Sequence, residues 1–225
     1  VNGPLKLYNG LLEMDPTTTI TWMSTGTPVP PESTSTGAVG STQGKLIVVS
    51  GVATWGTTPP TPGANDFSFS INDGSGAVQI FIDKDTMIDM RGYTSGITMR
   101  ITGFSGNYTV AQVMPRYASD IVDMTPPTVT GTVPTPGATG VSLYYPVQAT
   151  FSKAMNSASL NSASFTLKKA GGASASGSVT YDAGTKTASF TPAAALDPTT
   201  IYTATLTTDV KDANDIALAA PYQFS

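Results

Sequence analysis

Phe67-Ser68-Phe69-Ser70-Ile71-Asn72-Asp73-Gly74-Ser75-Gly76-Ala77-Val78-Gln79-Ile80-Phe81-Ile82 reads as a β-hairpin. Apolar and polar residues alternate strictly from Phe67 to Ile71, the period of a half-buried strand. Asn72 to Gly76 carries turn chemistry, with glycines available for positive φ. Ala77 to Ile82 returns as the partner strand. Working outward, Leu46-Ile47-Val48-Val49 is an apolar β-branched run, and Ile97 to Gly103 alternates again. Val110 to Met114 and Ser119 to Val122 complete the set, while Thr86 to Tyr93 has room for a short helical turn. Thr57 to Gly63 reads as a loop inside this domain. The Pro/Gly-rich stretch Pro28 to Gly44 sets a short N-terminal piece apart from it. At Asp123-Met124-Thr125-Pro126-Pro127 the paired prolines cannot continue a ladder and favour an extended linker. The expected organisation is therefore 1–28, 29–123 and 124–225, all of it β.

Composition narrows the function. Charged residues make up 12% of the 225 residues and apolar residues 40%. A surface so poor in charge has to be covered by Thr, Ser, Gly and Pro, the residues of strands and turns. The sequence contains no Cys and no His. That removes thiol nucleophiles, Ser-His-Asp triads and the commonest transition-metal ligands. The net charge of -4, with 11 Lys and Arg against 15 Asp and Glu, offers no basic surface for displacing counterions from nucleic acid. No apolar run reaches the length of a membrane span. Val1 opens the sequence without a leader, which reads as a processed or excised piece.

The segment 29–123 resembles the OB-fold modules of bacterial secreted multidomain proteins. The resemblance lies in Gly44-Lys45-Leu46-Ile47-Val48-Val49-Ser50-Gly51-Val52, in Phe69 to Gly76, and in Met99-Arg100-Ile101-Thr102-Gly103. It implies a Greek-key barrel. Ser95-Gly96-Ile97-Thr98 stands where the usual pattern has Gly-Asp-x-Val. An internal echo extends the resemblance upstream. Leu11-Leu12-Glu13-Met14-Asp15-Pro16 aligns without gaps to Val110-Ala111-Gln112-Val113-Met114-Pro115, which places Trp22-Met23 opposite Ile121-Val122. The segment 1–28 then reads as the closing strands of a preceding OB module. The plainer reading is that any two alternating strands followed by proline look alike.

From Thr125 onward the chain resembles the bacterial Ig-like domain of the S-layer (SbsA) type. The motifs are Thr125-Pro126-Pro127-Thr128-Val129, Pro136 to Val141, Ala149-Thr150-Phe151-Ser152-Lys153-Ala154-Met155, Ser164 to Leu167, Ala188 to Pro192, Leu196, Tyr202 to Leu206 and Val210-Lys211-Asp212. The resemblance implies a seven-stranded Greek-key β-sandwich. Turn signals roughly every ten residues agree with it, and Asn156 to Asn161 could form one helical turn. Two features depart from the pattern. Asp212-Ala213-Asn214-Asp215 replaces Asp-Ala-x-Gly-Asn, and Phe224-Ser225 ends the last strand early. Both ends of the chain are thus expected to be either cut sites or sites of strand exchange.

Candidate chemistry is sparse. Asp209, Asp212, Asn214 and Asp215 form the acidic turn best suited to calcium, a cation that wants several oxygen ligands from one loop. No other cofactor is expected. Asp83, Asp85 and Asp89, with Asp73 nearby, form a second acidic group interrupted by Lys84 and read mainly as a solvated loop. OB folds bind sugars or nucleic acid through aromatics on one barrel face, which makes Trp55, Tyr93 and Tyr108 the ligand-binding candidates. Most aromatics at alternating positions are nonetheless core. Gly74-Ser75-Gly76 lacks the helix and Lys of a phosphate loop. Asn107-Tyr108-Thr109 is a glycosylation sequon, meaningful only in a host that uses it.

The expectation is a non-catalytic structural subunit of an extracellular, cell-surface bacterial assembly: a filament, stalk or surface layer. Its partners would be copies of itself, head to tail, or other domains of one parent polypeptide. Leu5, Tyr8, Leu11, Leu12, Met14, Ile20 and Trp22 would form the donor segment for a neighbour's OB-like domain. The alternative is a glycan- or nucleic-acid-binding accessory module of a large secreted hydrolase.

Overall fold

The computed structural model describes residues 29–225, together with the strand segments Leu5–Tyr8 and Leu11–Met14. It is all-β, and the chain divides into two compact units between Thr125 and Pro126. Among the described residues no helix is long and apolar enough to cross a membrane.

In the first unit, β1 (Leu5–Tyr8) and β2 (Leu11–Met14) pair antiparallel with Tyr8 opposite Leu11. Asn9-Gly10, a strong two-residue hairpin signal, separates them in sequence. Next come β3 (Glu32–Ser33), a 3-10 turn at Thr36–Ser41, β4 (Leu46–Thr54), β5 (Phe67–Asn72) and β6 (Ala77–Ile82). A 3-10 turn at Lys84–Thr86 falls at the edge of the segment expected to be helical. The unit finishes with β7 (Thr98–Tyr108), β8 (Val110–Met114) and β9 (Ile121–Asp123).

Five of these strands close a barrel. β4 pairs antiparallel with β5, and β5 with β6. β6 runs parallel to β8 through Gln79 opposite Gln112 and Ile80 opposite Val113. β8 pairs with β7, and β7 returns to β4 from Leu46 opposite Phe104 to Val52 opposite Thr98. Alternation decides which residues fill it. Phe67, Phe69 and Ile71 face inward from β5, as do Val78, Ile80 and Ile82 from β6, and they meet Ile47, Val49, Met99, Ile101 and Val113. Gly51 permits closure, because a Cβ there would stand 2.5 Å from the Asn72 carbonyl oxygen.

Within the stretch Pro28 to Gly44, read from sequence as a separator, the turn Thr36–Ser41 contributes to this barrel. Thr36–Ser41 packs across one end, with Val39 only 1% exposed in the core. Asp73 holds it there. Its carboxylate accepts from Thr36 N (3.1 Å), Thr36 Oγ1 (2.7 Å), Ser75 N (2.9 Å) and Ser75 Oγ (2.5 Å). Gly37 N donates to Ser75 Oγ at 2.9 Å, and a Cβ on Gly37 would collide with the Ser75 carbonyl at 2.5 Å.

The second unit is built from two sheets. β10 (Val129–Val133), β11 (Val147–Phe151), β14 (Thr187–Pro192) and β13 (Gly177–Asp182) form one, in that order. β12 (Phe165–Lys169), β15 (Tyr202–Leu206) and β16 (Tyr222–Phe224) form the other. All pairings are antiparallel. Both sheets feed one core: Val147, Ala149, Phe151, Ala188 and Phe190 from the first, Phe165, Leu167, Ala204, Leu206 and Phe224 from the second. Phe165 and Phe190 meet across the layers with ring centroids 6.0 Å apart. The single helical turn expected near Asn156 is a 3-10 turn at Ser157–Ser159, capped by Asn156 Oδ1 accepting from Ala158 N at 3.1 Å.

Candidate functional site

The acidic turn in the second unit is a structural knot. Asp212 is 1% exposed. Its Oδ1 accepts from the amides of Asn214 and Ile216, both at 2.9 Å. Its Oδ2 has no hydrogen-bond partner, and Lys153 Nζ lies 3.9 Å away. Asp215, at φ 63°, accepts from Asn156 Nδ2 at 3.1 Å, while Asp209 Oδ2 accepts from Thr207 Oγ1 at 3.3 Å. Each carboxylate thus serves a different local donor. Among the described residues no three acidic side chains converge where they could hold a metal ion. What the turn does is stitch: Ala213 N donates to Ala154 O, and Asn156 N to Lys211 O.

The second acidic group is likewise consumed locally. Asp83 caps its own turn by accepting from Asp85 N at 2.8 Å, and Asp89 forms a two-pronged pair with Arg91 at 2.9 and 2.7 Å. The Arg91 guanidinium and amide hold the Asp89 carboxyl down at about 2. Asp73 lies well below the ordinary carboxylate range, held there by the Ser75 hydroxyl and amide and then by those of Thr36.

The aromatic candidates divide between the barrel core and the strand end: Trp55 and Tyr93 pack against the core, and Tyr108 is exposed. Trp55 follows the end of β4 and stands edge-on to Phe69 and Phe67, with centroids 5.4 and 6.2 Å away. Tyr93 packs against the same core, and burial, with the Asp123 carboxylate, pushes its phenol up. Tyr108 is 53% exposed at the far end of β7 from Thr98, which pairs with Val52 near Trp55. Tyr108 and Trp55 thus stand toward opposite ends of the eleven-residue β7. Of the donor-segment residues, Leu5, Tyr8, Leu11, Leu12 and Met14 lie on the β1–β2 hairpin. Ile20 and Trp22 lie outside the described residues.

Two arrangements were not anticipated from sequence. The Arg116 guanidinium stacks near Phe104 (5.8 Å) and Tyr117 (5.3 Å) while Asp120 holds it through Nε and Nη2 at 3.0 and 2.9 Å. The Arg-x-x-x-Asp spacing was its only sequence signal. The other is a polar groove on the outer face of the four-stranded sheet, between Gln148, Ser189 and Asp182. Its signal was the run of hydroxyl residues at the outward positions of β13 and β14.

Residues 123–225 match the bacterial Ig-like domain family, which supports an Ig-like domain in the C-terminal part of the chain. Domains of this family occur in bacterial surface proteins. No curated protein matches the chain.

Proposed function

We propose that the chain is a non-catalytic structural module of an extracellular bacterial surface assembly, such as a filament, stalk or surface layer. The observation that carries this reading is the Ig-like domain over 123–225 coupled to a second all-β unit. The barrel is read as OB-like. Supporting this is a strand order in which the first barrel strand, β4, meets both β5 and β7, and the third, β6, runs parallel to the last, β8. The Ig-like unit is read as a sandwich of four and three strands of the S-layer type. The reading needs no catalysis, in keeping with a sequence that has neither Cys nor His.

Self-association is the second part of the proposal. β4 to β8 already close the barrel, so a donated segment has no vacant barrel position to fill. Donation therefore occurs at a sheet edge, where unpaired amides and carbonyls recruit another strand. The Ig-like unit has such edges in β10, β13, β12 and β16, of which the six-residue β13 is the longest. Because the donating and receiving surfaces differ, copies would add head to tail without closing. Deleting residues 1–28 tests this: soluble monomers are expected, and assembly unchanged by the deletion overturns it.

A further inference from the structure

The outer face of the sheet β10-β11-β14-β13 carries a groove of about 440 Å³. Side chains from three neighbouring strands line it: Gln148 on β11, Thr187 and Ser189 on β14, Thr180 and Asp182 on β13, with Thr185 in the β13–β14 turn. Register puts these residues in two rows. Gln148, Ser189 and Thr180 lie side by side, and Thr187 pairs with Asp182 in the next row. Neighbouring strands are about 4.8 Å apart and the rows about 6.8 Å apart. The result is a grid of hydrogen-bonding groups on a rigid support.

Several of these groups are already oriented. Gln148 Nε2 donates to Ser189 Oγ at 3.0 Å, which turns the Gln148 carbonyl oxygen away as a free acceptor. Asp182 Oδ1 accepts from Gly184 N at 2.8 Å and from Thr185 N at 3.5 Å, and the Thr185 side chain bonds the same carboxylate, which fixes its plane at the mouth of the groove. Thr187 Oγ1 bonds Thr150 Oγ1 and the Thr185 carbonyl. Tyr181, also at the groove, is anchored by its hydroxyl accepting from Met155 N at 2.8 Å. Acceptors and hydroxyls fixed in advance cost little further ordering when a ligand arrives.

The lining selects a ligand class. It contains no Lys or Arg, so nothing attracts a phosphate, sulfate or uronate. Its lining side chains end in hydroxyl, amide and carboxylate groups, and more of its surface is polar than apolar, so a ligand with matching hydrogen-bonding groups gains more there than a lipid or hydrophobic peptide. A ligand matching it carries many hydroxyls and no charge. We propose that this groove binds the hydroxyls of a neutral carbohydrate chain, with Asp182 and Gln148 as acceptors and Thr180 and Ser189 as exchangeable donors and acceptors. The groove lies on the sheet face and shares β13 with one of the edges argued above to receive a donated strand, but its ligand binding does not require assembly. It would let an assembled module hold surface polysaccharide.

The test is a titration of the whole 15N-labelled chain, followed by amide shifts, with cellopentaose, maltopentaose and laminaripentaose. A chitosan pentamer and a pentagalacturonate serve as cationic and anionic comparisons. At least one neutral pentamer is expected to move amides confined to residues 148 and 180–189. Asp182→Ala is expected to weaken that response about tenfold, the loss of a hydrogen bond to a charged acceptor. Asp182 also orders its turn, so the exposed Thr180→Val, which leaves the turn intact, provides a second reading and is expected to weaken binding in the same direction. No shift with any neutral pentamer, shifts only elsewhere, or an equal response to the galacturonate would overturn the assignment. A response to the chitosan pentamer alone would also overturn it, by reducing the site to charge attraction at Asp182.

Discussion

Thr36 and Asp73, 37 residues apart in sequence, exchange hydrogen bonds in both directions: Thr36 N and Oγ1 donate to the Asp73 carboxylate, and Asp73 N donates to Thr36 Oγ1 at 3.1 Å. This reciprocal contact binds the turn that plugs the barrel to the β5–β6 hairpin. Thr36 is 2% exposed. Thr36→Val keeps the shape but removes the hydroxyl that Asp73 N and Oδ1 both use. It should destabilise the first unit by about 1–3 kcal/mol, read as a lower urea midpoint for that unit.

The same contact predicts a pH dependence. The folded-state value of Asp73 lies below its unfolded value, so the folded state binds fewer protons. Its contribution is complete above the ordinary carboxylate value of about 4, and is lost as pH falls toward the depressed folded value. The difference in urea midpoint between the unsubstituted chain and Asp73→Asn should therefore narrow steadily from about pH 6 to about pH 2. A constant difference would show that the Asp73 charge is not what matters.

Asp212 makes a separate prediction for the second unit. Asp212→Ala strips the acceptor from two amides and should cost about 2–4 kcal/mol. Calorimetry should show the Ig-like transition lowered and the barrel transition unmoved. Adding calcium or a chelator to the unsubstituted chain should shift neither transition, since each acidic side chain of this turn already serves a local donor.

Gly51→Ala tests barrel closure. The new methyl would lie 2.5 Å from backbone atoms of Asn72, which cannot swing aside as a side chain could. A loss of about 1–3 kcal/mol is expected in the first unit, visible as a reduced thermal midpoint. Gly74→Ala, where the added atom meets nothing within 4 Å, separates crowding from backbone strain at φ 98°.

Much of the strand content was legible because alternation reports burial directly. Phe67 to Ile71 and Val110 to Met114 fall on strands as read. The Thr36–Ser41 turn was not legible. Its Gly and Ser residues mark a loop, and the partners that order it come from Asp73 and Ser75, far along the chain. The parallel β6–β8 pairing sets Gln79 opposite Gln112 and Ile80 opposite Val113, a register that no local pattern announces. Site residues were harder still. Residue type marked Trp55 and Tyr93 as aromatic, but their role in the barrel wall follows from which way their strands and loops turn. The outward hydroxyls of β13 and β14 read as ordinary solvent-facing positions, and they form a groove only because register aligns them with Gln148 on β11.

Whether the chain assembles as a structural module is decided by sedimentation velocity of the whole chain beside the chain lacking residues 1–28. A concentration-dependent ladder of species is expected for the whole chain, seen as linear particles by negative-stain microscopy, and a single monomer for the shortened one. Monomer alone for both chains, at every concentration, would contradict assembly.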